Sequence, residues 1–308
     1  LNALAIIIAY NGDAWIPKCL DSYELAQATL PEVLLVDNHF NTIIPNLKTQ
    51  GLKLSILKTD KPLGFAEANN FALSKASIEQ EFIVFLNQDT ISKDGWVDKC
   101  IDYLKNNPSV GAVSPYIRTY DDRAWDPSFL DCLPSKKVID RKNIKVSFIP
   151  APGMVIRNSV LQQTGPFDPI YGSYYEDYDL CYRISKAGYE LAFCGSAEIL
   201  HYSGSATDTP EKESKRRRVT LRNRAIFRIR TQEVPRLISF LKIMFWEFPQ
   251  RMLRGILKTP SSQRPNEVLG SWLDLWSISW RLLNKNRDAK LWNVYLEKIG
   301  WANFNKTL

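Results

Sequence analysis

Three carboxylates, Glu176, Asp177 and Asp179, crowd the front of the stretch YYEDYDLCYRISKAG, Tyr174 to Gly188, and carboxylates are groups that can take a proton from a reacting hydroxyl. Behind them Leu180, Cys181, Ile184 and Ala187 fall on one face of a helix that Gly188 closes, so the acids gather near a helix start. N-capping and the positive end of the helix dipole account for one acid, and Asp179 can pair with Arg183 four residues on. Capping uses one side chain. Three acids after the aromatic pair Tyr174-Tyr175 and a Gly172 turn therefore point to a site, with the acids not used in capping free for proton transfer.

Such a site has to be carried by a scaffold, and the spacing upstream describes one. Leu4 to Ala9 (LAIIIA) is a continuous β-branched run that ends in the polar turn Tyr10-Asn11-Gly12, the pattern of a buried parallel strand. A helix is expected over residues 15–28, a second strand over 33–36 ending at Asp37-Asn38, a third over 52–57 and a helix over 65–76. A fourth strand is expected over 81–86, stopping at Asn87-Gln88-Asp89, followed by a helix over 96–104 and a strand over 110–115. Strand-helix alternation predicts an α/β fold with right-handed crossovers, which brings the loops after the strands to one sheet edge. Asp37, Gly64 to Asn70 and Asp89 then share that edge, where ligands of open α/β sheets bind. Singly, each could be a cap or a turn residue. The polar stretch 119–145 lacks periodicity and reads as a long loop or hairpin over the site.

A chain of 308 residues with 45% apolar and 24% charged residues is that of a folded protein with one large domain and an appendage, or two domains. Cys19, Cys100, Cys132, Cys181 and Cys194 are odd in number and lack CxxC spacing, which fits a reducing cytosol better than a disulfide framework or a zinc cluster. Leu4 to Ala9 is too short, and lacks the basic leader, for a signal peptide, so secretion is not expected. The formal charge of +7 is unevenly spread: residues 215–258 hold thirteen Lys or Arg against Glu233 and Glu247, and the rest is net acidic. That concentration suggests an anionic partner for the segment.

Several of these pieces, in order, resemble the family 2 glycosyltransferases of GT-A fold, in particular rhamnosyltransferase-like members. They are IIIAYNG (Ile6 to Gly12), LLVDN (Leu34 to Asn38), LGFAEANN (Leu63 to Asn70), FLNQDT (Phe85 to Thr90), GPFDPIYGSYYEDYDLCYRISKAG (Gly165 to Gly188) and HYSGSAT (His201 to Thr207). The resemblance covers roughly residues 4–230, and no single piece is as specific as the ordered set. It implies a Rossmann-like nucleotide-sugar-binding domain over 1–220 and a basic, Trp-rich helical appendage over 221–308. It implies that Tyr10, Asn11 and Asp37 hold the nucleobase and ribose of a nucleotide-sugar donor, with Gly64 and Asn69 continuing the pocket. FLNQDT sits where the family keeps its DxD motif, with Asn87 in place of the first acid, so Asn87 is assigned to the donor and Asp89 alone remains as a charged ligand for Mg²⁺ or Mn²⁺. By the same resemblance His201 helps hold the metal, and His39 is a loop residue near the nucleotide. The implied chemistry is inverting transfer from dTDP-rhamnose or a UDP-sugar to a glycan or lipid-linked acceptor in cell-surface polysaccharide synthesis. Asp177 would be the base; Glu176, Asp179 and Tyr175 would contact the acceptor; Pro152-Gly153-Met154 would let backbone approach the sugar.

The tail has its own pattern: KRRR (Lys215 to Arg218), RNRAIFRIR (Arg222 to Arg230) and LISFLKIMFWEF (Leu237 to Phe248). The apolar run is broken by Lys242 and is short of the roughly 20 residues a membrane span needs. Trp272, Trp276 and Trp280 recur every four residues, either as a packing stripe or dimer contact, or as an interfacial face on an anionic membrane. The second possibility predicts a cytoplasmic protein peripheral on the inner face of the membrane. A nucleic-acid binder using the basic segment would need a reader motif, and none is visible, so no nucleic-acid partner is expected. A sugar nucleotidyltransferase would need a Gly-rich loop with Arg and Pro after the first strand, and Tyr10-Asn11-Gly12-Asp13 is not one. A catalytically impaired homologue is the remaining alternative raised by Asn87, against which the three acids stand.

Overall fold

The computed structural model describes residues 2–26, 32–38, 51–76, 80–134, 141–202, 209–257 and 264–301. His39 and the Ser203 to Thr207 part of HYSGSAT lie outside the described residues. The described residues form two compact units, one drawn from residues 2–172 and 176–202, the other from 173–175 and 209–301.

The first unit is built on a mixed sheet. Its strands are β1 (Ala3–Ala9), β2 (Glu32–Asp37), β3 (Leu54–Lys58), β4 (Phe82–Asn87), β5 (Thr90–Ser92), β6 (Val110–Thr119), β7 (Ile144–Val146), β8 (Gly153–Arg157) and β9 (Glu190–His201). They run in the order β3-β2-β1-β4-β8-β6-β9-β5, with β7 on β9. All seven residues of β1 are buried, and its three isoleucines, each worth roughly 1.5–3 kcal/mol on burial, hold the strand where a one-residue slip would expose none of them cheaply. β1, β2, β3 and β4 are parallel neighbours, while β8 runs antiparallel to β4. The helices are α1 (Ile16–Ala26), α2 (Phe65–Leu73), α3 (Trp96–Asn106), α4 (Pro127–Cys132), α5 (Asn158–Thr164) and α6 (Glu176–Lys186). In α3 the residues Trp96, Val97, Cys100, Ile101 and Leu104 are buried, a helical stripe read directly from the sequence.

Register explains the active edge. Asp37 pairs with Ala9 and Asn87 with Ile8, so the first loop, the end of β2 and the NQD turn leave the sheet side by side. Gly153 pairs with Leu86, which delivers the Ala151-Pro152 turn to the same edge, and His201 pairs with both Thr90 and Thr119. The α/β expectation thus holds. The stretch 119–145 is more ordered than its composition suggested, containing α4 and β7, and α4 is announced by Asp126, whose carboxylate accepts from Ser128 N–H (2.8 Å) ahead of Pro127 at the first helical turn.

Gly64 and Gly172 bind the front of α2 to the loop before α6. A Cβ on Gly64 would lie 2.9 Å from both the Cα and the O of Gly172, whose carbonyl accepts from Ala66 N–H (2.8 Å). One turn further on, Asn70 exchanges two hydrogen bonds with the Phe167 backbone (2.6 and 3.0 Å). Gly64→Ala is expected to cost about 1–3 kcal/mol, because the methyl meets backbone that cannot rotate away. Urea titration should show the midpoint falling at constant slope, and an unchanged midpoint would contradict the close approach.

The second unit is helical: α7 (Pro210–Thr231), α8 (Arg236–Lys242), a π-helical turn (Ile243–Glu247), α9 (Phe248–Ile256), α10 (Pro265–Ser277), α11 (Ser279–Leu282) and α12 (Lys285–Lys298). The division expected between 220 and 221 falls inside α7, and the compact units part near Ala206. Much of the basic run is neutralised within the unit. Arg217 bonds Glu213 and Glu267, Arg218 bonds Asp274, and Arg230, Arg236 and Arg281 converge on the buried Asp288. Among the described residues no helix is long and apolar enough to cross a membrane.

Candidate active site

Each wall of the site is fastened by a polar side chain. Gln88 bridges the NQD turn to the first loop, accepting from Tyr10 N–H (2.9 Å) and donating to Tyr10 C=O (2.8 Å), which leaves the half-exposed Tyr10 ring outward. Gly12 is required there, since a Cβ would meet Gln88 Oε1 at 2.6 Å, and Asn11 takes a left-handed conformation (φ 49°). Asn38 does the same for the second wall: its amide donates to Leu63 C=O (2.9 Å) and accepts from Leu63 N–H (2.8 Å). Asp37 is thereby held, buried, where β2 ends. Sequence reasoning singled out Asp37, Tyr10 and Asn11 but missed Gln88 and Asn38, whose role depends on partners 78 and 25 residues away.

Two assigned donor residues face elsewhere. Asn69 is buried with its amide donated to Phe65 C=O (2.9 Å) inside α2, and the space beside Gly64 is filled by Gly172. Gly153 is likewise small for packing, since a Cβ would strike Ile199 at 2.7 Å.

At the centre of the edge Asp89 and His201 lie together. His201 Nδ1 bonds Asp126 (3.1 Å) and Nε2 lies 3.5 Å from Asp89 Oδ1. Burial alone would lower the imidazole pKa, but the hydrogen bonds to Asp126 and Asp89 and their charges outweigh it and raise it to about 9. Asp126, fully buried, is the orienting carboxylate that often stands behind a metal-ligating histidine. Tyr202 N–H donates to Asp89 C=O (3.0 Å), and its ring packs on Trp15 (4.5 Å between centroids) with Tyr120 edge-on. Beside them Asn87 Oδ1 is buried without a hydrogen-bond partner. No three His, Cys, Asp or Glu residues among those described form a metal cluster. One carboxylate, an imidazole oriented by Asp126 and an orphaned amide oxygen nonetheless suit a cation that takes its other oxygens from a diphosphate.

The acid pair is tied to that centre through two backbone residues. Asp177 accepts from Tyr178 N–H (2.9 Å) and from the backbone N–H of Ala151. The next residue, Pro152, accepts from Asn87 N–H (3.0 Å). One turn, Ala151-Pro152, therefore holds the proposed base on one side and the NQD motif on the other. Burial pushes the half-buried Asp177 carboxyl up to about 6, with the two backbone N–H groups opposing it. Burial and then the neighbouring Asp177 charge push Glu176 well above the carboxylate range, and its Oε2 is buried with no hydrogen-bond partner. Burial thus favours the neutral form of both carboxyls, and of Glu176 the more strongly.

Asp179 is a correction. It is buried with Oδ1 bonded to Tyr171 (3.2 Å) and Oδ2 to Arg183 (2.8 Å), so it anchors α6 instead of meeting an acceptor. Arg183 continues the anchor to the carbonyls of Gly165 and Pro166 (2.9 Å each). Ser173–Tyr175, immediately before the pair, belong to the helical unit, where Asn223 donates to the Ser173 and Tyr174 carbonyls (2.9 and 2.7 Å) and the Tyr175 ring lies 6.0 Å from Phe227. Tyr174 and Tyr175 both adopt positive φ (69° and 73°), a strain of order 1–3 kcal/mol each that recurs at functional sites.

Known proteins resemble the chain in sequence and in fold. The chain is 26% identical over 220 residues to the O-antigen chain rhamnosyltransferase RfbN of Salmonella typhimurium, covering 68% of each. It is 24% identical over 236 residues to the N-acetylglucosaminyl-diphospho-decaprenol L-rhamnosyltransferase of Mycobacterium tuberculosis, covering 66% of this chain and 76% of the relative. The fold matches a Pyrobaculum calidifontis mannosyltransferase solved with GDP-Man and Mn²⁺ (TM-score 0.57, 18% identity, 98% of this chain and 85% of that one). It also matches GalNAc-T7 solved with UDP, GalNAc and Mn²⁺ (TM-score 0.59, 14% identity, 87% of this chain), of which the match spans about half, 55%. The architecture is thus the GT-A fold. Residues 4–165 match the model of glycosyl transferase family 2, and the chain is a member of that family.

Proposed function

We propose that this glycosyltransferase moves a sugar, rhamnose in the first instance, from a nucleoside-diphosphate donor to a hydroxyl of a glycan or lipid-linked acceptor with inversion. The observation that carries the reading is the Ala151-Pro152 turn, which joins Asp177 to the NQD motif through one backbone hydrogen bond on each side. The names of the Salmonella and Mycobacterium relatives support rhamnose and, in the second, a lipid-diphosphate acceptor.

The acceptor oxygen attacks the anomeric carbon as its proton passes to Asp177, and the bond to the diphosphate breaks with its electron pair leaving on the diphosphate oxygen. Burial and the Asp177 charge favour the neutral form of Glu176, which in that form can donate a hydrogen bond from its buried Oε2 while Asp177 carries the charge. Tyr10, Asn11 and Asp37 hold the nucleoside, and Asn87 presents its amide oxygen beside the diphosphate. Asp89 and Asn87, with His201 once its imidazole has given up a proton, would hold a divalent cation, which would supply positive charge against the leaving diphosphate.

A thermal-shift screen of nucleoside diphosphates and nucleotide sugars, with and without Mn²⁺, tests the donor assignment. A true donor at about a hundred times its Kd adds roughly 2.7 kcal/mol to stability, a shift of several degrees. The thymidine or uridine series should give it. If no nucleotide moves the melting temperature under either condition, the donor reading fails.

A further inference from the structure

The continuous helical run Arg236–Ile256 carries apolar side chains beyond its buried side. Phe240, Ile243, Met244 and Phe248 are buried inside the helical unit. Leu237, Leu241, Phe245, Leu253 and Leu257 point outward, every one of them between 44% and 65% exposed. Their spacing is a multiple of four, which would drift around a regular helix; the π-helical turn Ile243–Glu247 widens the local period and counters that drift. A parallel row carries Ile238, Lys242, Trp246 and Arg254, all exposed. A helix with exposed apolar side chains beyond its buried side calls for a cover over them.

The charges around the row say what covers it. Arg251 lies within electrostatic reach of Arg224, Arg228 and Arg254 as well as of Glu247, and those four guanidiniums outnumber the one carboxylate. By sequence the run holds Arg236, Lys242, Arg251 and Arg254 against Glu247 alone, so its charge is net positive. A second copy docked about a twofold axis through this face would bring the same net-positive run from each copy into one interface. An anionic bilayer instead offers hydrocarbon to the leucines, phosphate to the cations and the headgroup zone to Trp246.

We infer that the outward face of Arg236–Ile256 seats the protein on an anionic membrane surface, with the Leu237-Leu241-Phe245-Leu253 row in the leaflet and Lys242 and Arg254 at the phosphates. This moves the membrane face away from the Trp272-Trp276-Trp280 stripe expected from the sequence. Trp272 donates to Met244 C=O (3.2 Å) and stacks on Trp276, so Trp272 is tied into the packing of the unit, while Trp276 and Trp280 stay about half exposed (49% and 52%). The inference rests on the helical unit and not on the transfer reaction.

The test is co-sedimentation of the purified full chain with vesicles of phosphatidylcholine containing phosphatidylglycerol, against phosphatidylcholine alone. Binding should be about tenfold tighter to the anionic vesicles at low salt and should weaken as salt rises. Phe245→Asp with Leu253→Asp should weaken binding to anionic vesicles by tenfold or more, on the order expected for charge placed in hydrocarbon. Lys242→Glu with Arg254→Glu should abolish the preference for phosphatidylglycerol. Because all four side chains are exposed, the melting temperature and its shift with nucleotide should stay as in the parent chain, which separates this outcome from misfolding and from failure of the donor reading. Absence of vesicle binding by the parent chain, equal binding to both vesicles, or a dimer by light scattering that Phe245→Asp dissolves would overturn the inference.

Discussion

Asp177→Asn is expected to lower transfer by roughly 10²–10⁴-fold, the range a positioned general base contributes, while leaving nucleotide affinity unchanged. The amide fills the same space and can still accept from the backbone N–H groups of Tyr178 and Ala151, but it cannot take a proton. Stability gives a second readout of opposite sign. Burial raises the Asp177 pKa from 3.8 to about 6, so its contribution to stability is fully present below about pH 4 and is lost as pH rises through 6. At pH 7–8 the ionised carboxylate costs about 3 kcal/mol, and the neutral amide escapes that cost. The variant should therefore be dead yet more stable than the parent at pH 7–8, with the difference closing at pH 4. The parent's kcat/KM should rise along an acid limb near pH 6 that belongs to the Glu176-Asp177 pair. Glu176→Gln, which mimics the protonated acid, should lose far less activity. Near-parental turnover by Asp177→Asn would place the base elsewhere, and a loss of stability at pH 7–8 would show that the buried charge is compensated.

The parts of this molecule legible in the sequence are those specified by local pattern. LAIIIA, LLV and FIVFL announce buried parallel strands because both faces are covered, and parallel strands necessarily bring Asp37, Asn87 and Asp89 to one edge. What was hidden is pairing at long range. Asp126 sits 75 residues from the His201 it orients, in a stretch polar enough to pass for loop, although Asp126-Pro127-Ser128 is a helix-start signature. Asp179 was grouped with Glu176 and Asp177 because sequence proximity does not say which acids turn inward; the Tyr171 and Arg183 partners do. The basic tail was overread in one part and underread in another. Arg217 and Arg218 meet Glu267 and Asp274, acids fifty residues later, so a window over 215–258 counted charges that the fold cancels. LISFLKIMFWEF is apolar on every side, so periodicity alone could not say which side would be left uncovered.

Asp89→Asn should separate metal-assisted binding from binding by the protein alone. Asp89 is buried and is the unaltered carboxylate of a motif whose first position is Asn87, so it has no second acid from that motif to replace it. The parent should bind nucleoside diphosphate more tightly with Mn²⁺ than without. In Asp89→Asn that gain should fall by 10–100-fold or more, since loss of a supporting hydrogen bond to a metal ligand already costs that much. Metal-free affinity should hardly change, because the nucleoside contacts proposed for Tyr10, Asn11 and Asp37 do not involve Asp89. Calorimetry under the two conditions reads both numbers with no acceptor present, so the outcome does not depend on identifying the acceptor. Equal affinity with and without Mn²⁺ in the parent would assign the diphosphate charge to the imidazolium of His201, already positive at neutral pH between Asp126 and Asp89. His201→Gln would then weaken nucleotide binding as strongly without metal as with it, whereas the metal reading expects its effect chiefly when Mn²⁺ is present.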